Sequence, residues 1–406
     1  MSVIHLEVPK RLRPLVALAH SVAAGYLRPI SRKYDRAEHA YPKELDLLAA
    51  AFGGLNEAGG LGGAGVRGES KRPPETARER RPGSAQLATV LGLAELCWGD
   101  VGLVLSLPGQ GLGNAAIAAV GTAAQKARFA DRWAAMAITE PEAGSDAAAI
   151  RTTARKDGDG WVLDGEKIYV TCGERADLVV VWATLDPGRG RAAIKSFVVE
   201  KGTPGMEVVR LDRKMGIRAS DTAVIRFDGC RIPADHLLGD EAIAEQAGFS
   251  GVKQTFDNTR PMVAAMAVGV ARAALERATE LLADAEVRPD WGGPLHAGPA
   301  AAERLVDMEA ELEASRLLMM KAAWMADARR PNSMEASMAK AKAARVANAI
   351  TLGAVELCGA AGVEERELLE KWARDSKILD IFEGTQQIQM LIVARRLLGK
   401  RSSELR

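Results

Sequence analysis

The apolar positions change period twice along the chain, and the changes divide it into three parts. From the start to about residue 130, Ala and Leu recur at three- and four-residue steps, the spacing of a helix with one buried face. Between about 134 and 240 short β-branched runs take over. WVLDGEKIYV, DLVVVWATL, IKSFVVE and TAVIRF are separated by the turn signals DGDG, DPGRG, KGTPG and FDG. That pattern predicts antiparallel strands closing on themselves as a small barrel or sandwich. From about 245 the helical step returns. Leu305, Met308, Leu312, Ser315, Met319, Ala322 and Ala326 share one face, the seam of a helix bundle. Pro331 and Asn332 end that helix. Others open near Phe256, run from about Met334 to Cys358, and cover the C-terminal stretch.

The predicted architecture is α+β and multidomain: an N-terminal helical domain over 1–133, a central antiparallel β-domain over 134–244 and a C-terminal four-helix bundle over 245–406. Residues 53–85 interrupt the first part. Their glycines favour backbone freedom and their Pro and charge run opposes packing, so a mobile loop is predicted there.

Composition narrows the function classes. A chain of 406 residues exceeds one ordinary core, and 48% hydrophobic with 26% charged residues describes a globular protein. A net charge of +1 gives no reason to expect nucleic acid or a membrane surface as partner. Cys97, Cys172, Cys230 and Cys358 form no CxxC pair, and the histidines show no helical ligand spacing, so no metal site or redox dithiol is expected. No apolar stretch of about 18 residues is free of charge, so no membrane span is predicted. The opening residues lack the layout of a signal peptide, and a reducing, cytoplasmic protein is expected.

Two glycine motifs mislead. Gly60, Gly62 and Gly65 spell GxGxxG but lack the flanking strand and helix of a dinucleotide site. Gly109, Gly111 and Gly113 follow Pro108 and read as a turn. The RERR run at 78–81 reads as a solvated loop.

Three segments carry candidate chemistry. In MAITEPEAGSD (136–146), Thr139 and Ser145 offer hydroxyls and Gly144 permits close approach of a ligand. A capped turn fits the same residues. KIYVTCG (167–173) is a strand end where Tyr169 could lie against a flat ring. In the segment 374–396, Glu383 interrupts an apolar run and Gly384 follows it. A helix interior disfavours glycine by about 1 kcal/mol, so a loop between two helices is predicted, with Thr385 capping the second. On the residues alone, Glu383 is either a solvated acid at a helix break or a site acid.

Taken in order, MAITEPEAGSD, KIYVTCG, KMGIRASDT, FDNTRP and KILDIFEGTQQIQ resemble the successive signatures of the acyl-CoA dehydrogenase family. The resemblance covers essentially the whole chain, most strongly 134–275 and 345–399. It implies FAD bound between β-domain and bundle, usually in a tetramer whose neighbouring subunit completes the site. The reaction implied is α,β-dehydrogenation of an acyl-CoA to the trans-2-enoyl-CoA, with an electron-transfer flavoprotein as acceptor. The carry-over makes Glu383 the base, as in the medium- and short-chain type enzymes. Relatives with the base on the first bundle helix carry it at the position of Thr259, which cannot do that work. The Glu383 backbone N–H and a FAD hydroxyl would hold the thioester carbonyl. Ile138, Thr139, Ser145, Tyr169, Thr171, Arg288, Trp291, Thr385 and Gln387 match flavin-contacting positions. Ser145, Asp257, Arg260 and Gly384 match the substrate passage.

Some positions depart from the family pattern. RxxFG reads RPDWG, with Trp291 in the aromatic place, and an expected glutamine is Pro299. QxxGGxG reads Glu356 to Gly362 with Ala360 for a glycine, so an acid stands near an expected pyrophosphate. These departures weaken the half-site given to a neighbour and raise a mixed tetramer with a related subunit as the alternative to a homotetramer. An acyl-CoA oxidase or other flavin oxidase on the same fold, or an inert subunit, are the other readings. Acyl chain length and branching are not legible.

Overall fold

In a computed structural model of the chain, the described residues are 7–49, 84–109, 111–243, 250–290, 294, 298–400 and 404, with 250–258 described by backbone alone. The loop predicted over 53–85 lies outside them except for Ser84 and Ala85, as do the GxGxxG glycines and the RERR run.

The first part is helical: α1 (Arg13–Val22), α2 (Arg28–Arg36), α3 (Ala85–Gly99), α4 (Val101–Leu105), α5 (Leu112–Val120) and α6 (Ala123–Phe129). A widened, π-type turn at Ala23–Leu27 joins α1 to α2. Asp100 breaks α3 from α4 and caps the latter, its Oδ1 accepting Leu103 N–H at 2.8 Å. Thr122 and Gln125 form a reciprocal capping box at the start of α6.

The central part is one sheet of β1 (Ala134–Ala137), β2 (Thr153–Asp157), β3 (Gly160–Thr171), β4 (Leu178–Thr184), β5 (Ile194–Glu200), β6 (Met206–Leu211) and β7 (Thr222–Pro233). Its order is β1-β4-β2-β3-β7-β6, with β5 also on β4. Most pairs are antiparallel, but β1 and β2 both run parallel to β4, with Ala134 opposite Leu178 and Thr153 opposite Thr184. Among the described strands no pair closes this order into a hydrogen-bonded ring. The sequence of β4 explains why it sits centrally. Leu178, Val180 and Trp182 pack on the face covered by α5 and α6, while Val179, Val181 and Ala183 pack on the other. A strand buried on both faces needs an unbroken apolar run.

The last part contains α7 (Ser250–Asp284), α8 (Ala300–Asp327), α9 (Ser333–Val363), α10 (Leu369–Leu379) and α11 (Gln386–Leu398). Of the predicted seam residues, Leu305, Met308, Leu312, Ser315, Met319 and Ala322 are buried, and Ala326 is half-buried. The loop expected at Glu383 and Gly384 separates α10 from α11, and the described residues of this part carry five helices where four were expected. Gly269 brings α7 directly onto α3: a Cβ there would stand 2.3 Å from the Ala94 carbonyl oxygen. By length and composition α9 alone among the described helices is apolar enough to cross a membrane. Its Ala336, Ala339, Ala343, Ala344, Ala347 and Ile350 are buried within the protein.

A buried charge cluster ties the three parts together. Lys371 on α10 donates to Asp100 at 2.7 Å and to Asp375 at 2.5 Å. Asp375 in turn accepts the backbone N–H of Ile217, in the loop before β7, at 2.5 Å. Arg374 reaches Asp35 on α2 with both terminal nitrogens, at 2.9 and 2.7 Å.

Candidate active site

The break between α10 and α11 builds the first half of the site. Phe382 N–H still donates to Ile378, so helical bonding runs on to that residue. The backbone then turns left-handed at two successive residues, with φ of +56° at Glu383 and +89° at Gly384. That region suits glycine and costs a residue with a Cβ roughly 1–2 kcal/mol. Gly384 is needed for a second reason: a Cβ there would lie 2.6 Å from Gln389 Nε2. The buried Gln389 amide donates to the carbonyls of Glu383 and Gly384, at 3.1 and 3.0 Å. Thr385 restarts the helix by accepting Ile388 N–H on its hydroxyl. The side chain of Glu383 turns toward α7, where Thr259 Oγ1 donates to Oε2 at 2.8 Å.

Burial sets the electrostatics of this carboxylate. Desolvation dominates and raises its pKa, opposed by the Thr259 hydrogen bond and by the charges of Arg260 and Lys340. Glu383 keeps partial exposure as a residue, while its carboxylate is enclosed by the protein. Arg260 is buried. Lys340, on α9, is buried completely and donates to the Gly384 carbonyl at 2.8 Å.

The second half lies on the sheet. β3 is irregular between Lys167 and Val170, and Tyr169 takes a φ of +58° there. The bulge re-aims Tyr169, leaving it 64% exposed at the strand end. Thr171 is half-buried opposite Thr222, and its hydroxyl has no hydrogen bond among the described residues. The turn over 138–152 is fixed to this strand by a buried ion pair. Lys167 Nζ donates to Glu140 Oε1 at 2.7 Å and to the Ile138 carbonyl at 3.0 Å. Glu140 also accepts both the N–H and the hydroxyl of Thr152, at 2.9 and 2.6 Å, and the N–H of Arg151 at 2.6 Å. Burial lowers Lys167 to about 8 against the pull of Glu140. Ile138 is buried and Thr139 half-buried, its carbonyl accepting Ile168 N–H at 2.9 Å. Ser145 is exposed on the same turn.

The two halves are mechanically linked. Cys172 N–H donates to the Asp221 carbonyl at 3.0 Å and Glu174 N–H to the Asp221 carboxylate at 3.0 Å. Asp221 belongs to the loop whose Ile217 is held by Asp375 on α10, the helix that leads into Glu383.

Other predicted positions fall differently. Gln387 is exposed in the first turn of α11. Arg288 lies beyond α7 and folds back to donate to the Ala283 carbonyl at 3.2 Å; none of the described contacts joins it to the Glu383 loop. Trp291 and the side chain of Asp257 lie outside the described residues. Glu356 is paired with Arg304 of α8, so its charge is compensated. Pro299 stands at the N-terminus of α8, its carbonyl accepting Ala302 N–H at 2.8 Å.

Comparison with known proteins decides the family. Residues 246–398 match the model of the acyl-CoA dehydrogenase C-terminal domain and 135–230 that of the middle domain. The short-chain specific acyl-CoA dehydrogenase of Bos taurus mitochondria is 35% identical over 408 residues, covering 97% of this chain and 91% of that one. The chain belongs to the acyl-CoA dehydrogenase family. Among solved structures, butyryl-CoA dehydrogenase of Megasphaera elsdenii superposes with a TM-score of 0.82 at 30% identity, covering 97% of this chain and 100% of that one. A glutaryl-CoA dehydrogenase of Mycobacterium smegmatis in complex with FADH2 superposes at 0.78 and 27% identity, covering 97% and 96%.

Within this acyl-CoA dehydrogenase fold, several residues of the site escape sequence reasoning. Glu140 and Lys167 stand inside the motifs of the site, but nothing local reveals that they pair. Gln389 lies two residues beyond Gln387 and reads as one more polar position on a helix. Lys340 does carry a signal: it interrupts the buried alanine face of α9 at the helical step from Ala336 and Ala343.

Proposed function

We propose that this acyl-CoA dehydrogenase removes the α-proton of an acyl-CoA thioester with Glu383 and yields the trans-2-enoyl-CoA. The observation that carries the reading is a dehydrated carboxylate held at a left-handed backbone position by Gln389 and hydrogen-bonded by Thr259.

The cofactor is FAD, and the residues present fit it. An exposed aromatic ring stands on the β3 bulge, and the hydroxyl of Thr171 is unengaged among the described residues. Bound there, FAD supplies the acceptor for the hydride that leaves Cβ. The protein's share is proton handling and alignment. An acyl chain entering beside Glu383 would expel remaining water, raising the basicity of the carboxylate toward that needed for a weakly acidic carbon. Arg260 and Lys340 oppose full protonation before substrate arrives. The Glu383 backbone N–H is proposed to hold the thioester carbonyl oxygen, where charge develops as the proton leaves. Ser145, Asp257 and Arg260 are assigned to the CoA and substrate passage. Thr385 and Gln387, at the start of α11, are assigned to the cofactor.

Because Glu383 works as a carboxylate and dehydration raises its pKa, kcat/KM should fall as pH drops through a value above the ordinary carboxylate range. A pH profile of anaerobic flavin bleaching by butyryl-CoA checks this. An acid limb near pH 4 would count against it.

An electron-transfer flavoprotein is the proposed acceptor, and the assembly is read as a homotetramer. Neutralisation of Glu356 by Arg304 removes one objection to flavin binding at the neighbour's half-site. The chain purified alone should then hold one FAD per chain. Occupancy near half, restored by a related subunit, would favour the mixed tetramer.

A further inference from the structure

Lys340 is a charge where α9 has no packing need of one. It lies on the face that carries Ala336, Ala343 and Ala347 into the core, and it is fully buried. Fully buried lysines are ordinarily paired with a carboxylate, since an uncompensated ammonium in a dry interior is costly. Lys340 makes no ion pair among the described residues. Its hydrogen bond goes to the carbonyl of Gly384 at 2.8 Å. Burial lowers its pKa to about 8, against the attraction of Asp380 and Glu383. A methionine would fill the same volume without desolvating a charge. What the ammonium supplies is local. It holds the carbonyl that follows Glu383, in a loop whose two left-handed residues need outside support, and it places a positive charge near the Glu383 carboxylate.

We propose that Lys340 is a positioning residue for the dehydrogenation: it pins the Gly384 carbonyl so that Glu383 stays aimed, and its charge favours the carboxylate form of Glu383. This rests on Glu383 being the base. The other groups acting on that carboxylate are the Thr259 hydroxyl and Arg260 from α7, while Lys340 itself is acted on by Asp380 at the end of α10, which favours its charge, and by Arg260, which opposes it. Removing the ammonium removes an attraction for the anion, so the Glu383 pKa must rise further and the acid limb must move to higher pH.

The test uses the FAD-loaded enzyme with butyryl-CoA and follows anaerobic flavin reduction across pH. In Lys340→Gln the acid limb should move up by about one pH unit. At neutral pH the reduction rate should fall by roughly 10- to 100-fold, with the substrate concentration for half-saturation little changed. Lys340→Arg retains the charge and should keep the limb near its original position. Lys340→Met should match the Gln variant; if it does not fold, the Gln and Arg pair decides. An acid limb unmoved in Lys340→Gln overturns the proposal, as does a limb that moves equally in Lys340→Arg. Glu383→Gln measured alongside separates the two claims. If that variant is inactive while Lys340→Gln leaves the limb in place, Lys340 alone is misassigned. If Glu383→Gln reduces its flavin normally, the base itself is misassigned.

Discussion

Lys371→Met should lower the stability of the protein by roughly 3–5 kcal/mol, far outside the effect of a surface change. Lys371, Asp100 and Asp375 are each 2% exposed or less. With the ammonium present, two carboxylates share one cation at 2.7 and 2.5 Å. Burial works to strip that ammonium of its proton, and the two aspartates more than reverse it, raising its pKa. Without it, two acids face each other in a dry core, where one must take up a proton or the cluster must open. The damage would spread because each acid has further duties. Asp100 caps α4 and accepts Ser31 Oγ at 2.5 Å, while Asp375 holds the loop before β7. Adding Asp375→Asn to Lys371→Met should recover part of the loss by removing one of the opposed charges. A denaturant or thermal midpoint within experimental error of the parent for Lys371→Met would show that the cluster is not what fastens the three parts.

Where burial is simple, the sequence reads well. The switch of period from helical steps to β-branched runs places the sheet between two helical parts, because side-chain spacing is the direct expression of which faces are buried. Glu383 and Gly384 are legible as a loop, since a helix interior disfavours that pair. Three kinds of feature are not legible. The parallel pairing of β1 with β4 depends on a short AAMA segment whose alanines fit a helix as readily as a strand. Long-range pairings such as Glu140 with Lys167, or Lys371 with Asp100, leave no local pattern because either partner alone looks like a surface charge. The carboxylate's dehydration comes from packing against α7 and α9, so no reading of the loop by itself separates a solvated acid from a base.

Those same contacts explain why Glu383 and not another acid is assigned the chemistry. Glu140 is also buried and close to the turn of the second half-site. It is saturated by Lys167, Thr152 and Arg151, and these hold its pKa down against burial. Such a group stays charged and structural. Glu383 accepts the Thr259 hydroxyl on one oxygen, and for it burial outweighs the groups that favour the anion. A Gln side chain in its place retains the shape and an acceptor oxygen for Thr259, but it cannot take up a proton from carbon.

Anaerobic single-turnover flavin bleaching by butyryl-CoA in Glu383→Gln is therefore the most direct measurement. The account predicts a variant that folds, carries FAD and binds the thioester, yet bleaches about 100- to 10,000-fold more slowly than the parent. Bleaching at a rate near the parent's would contradict it.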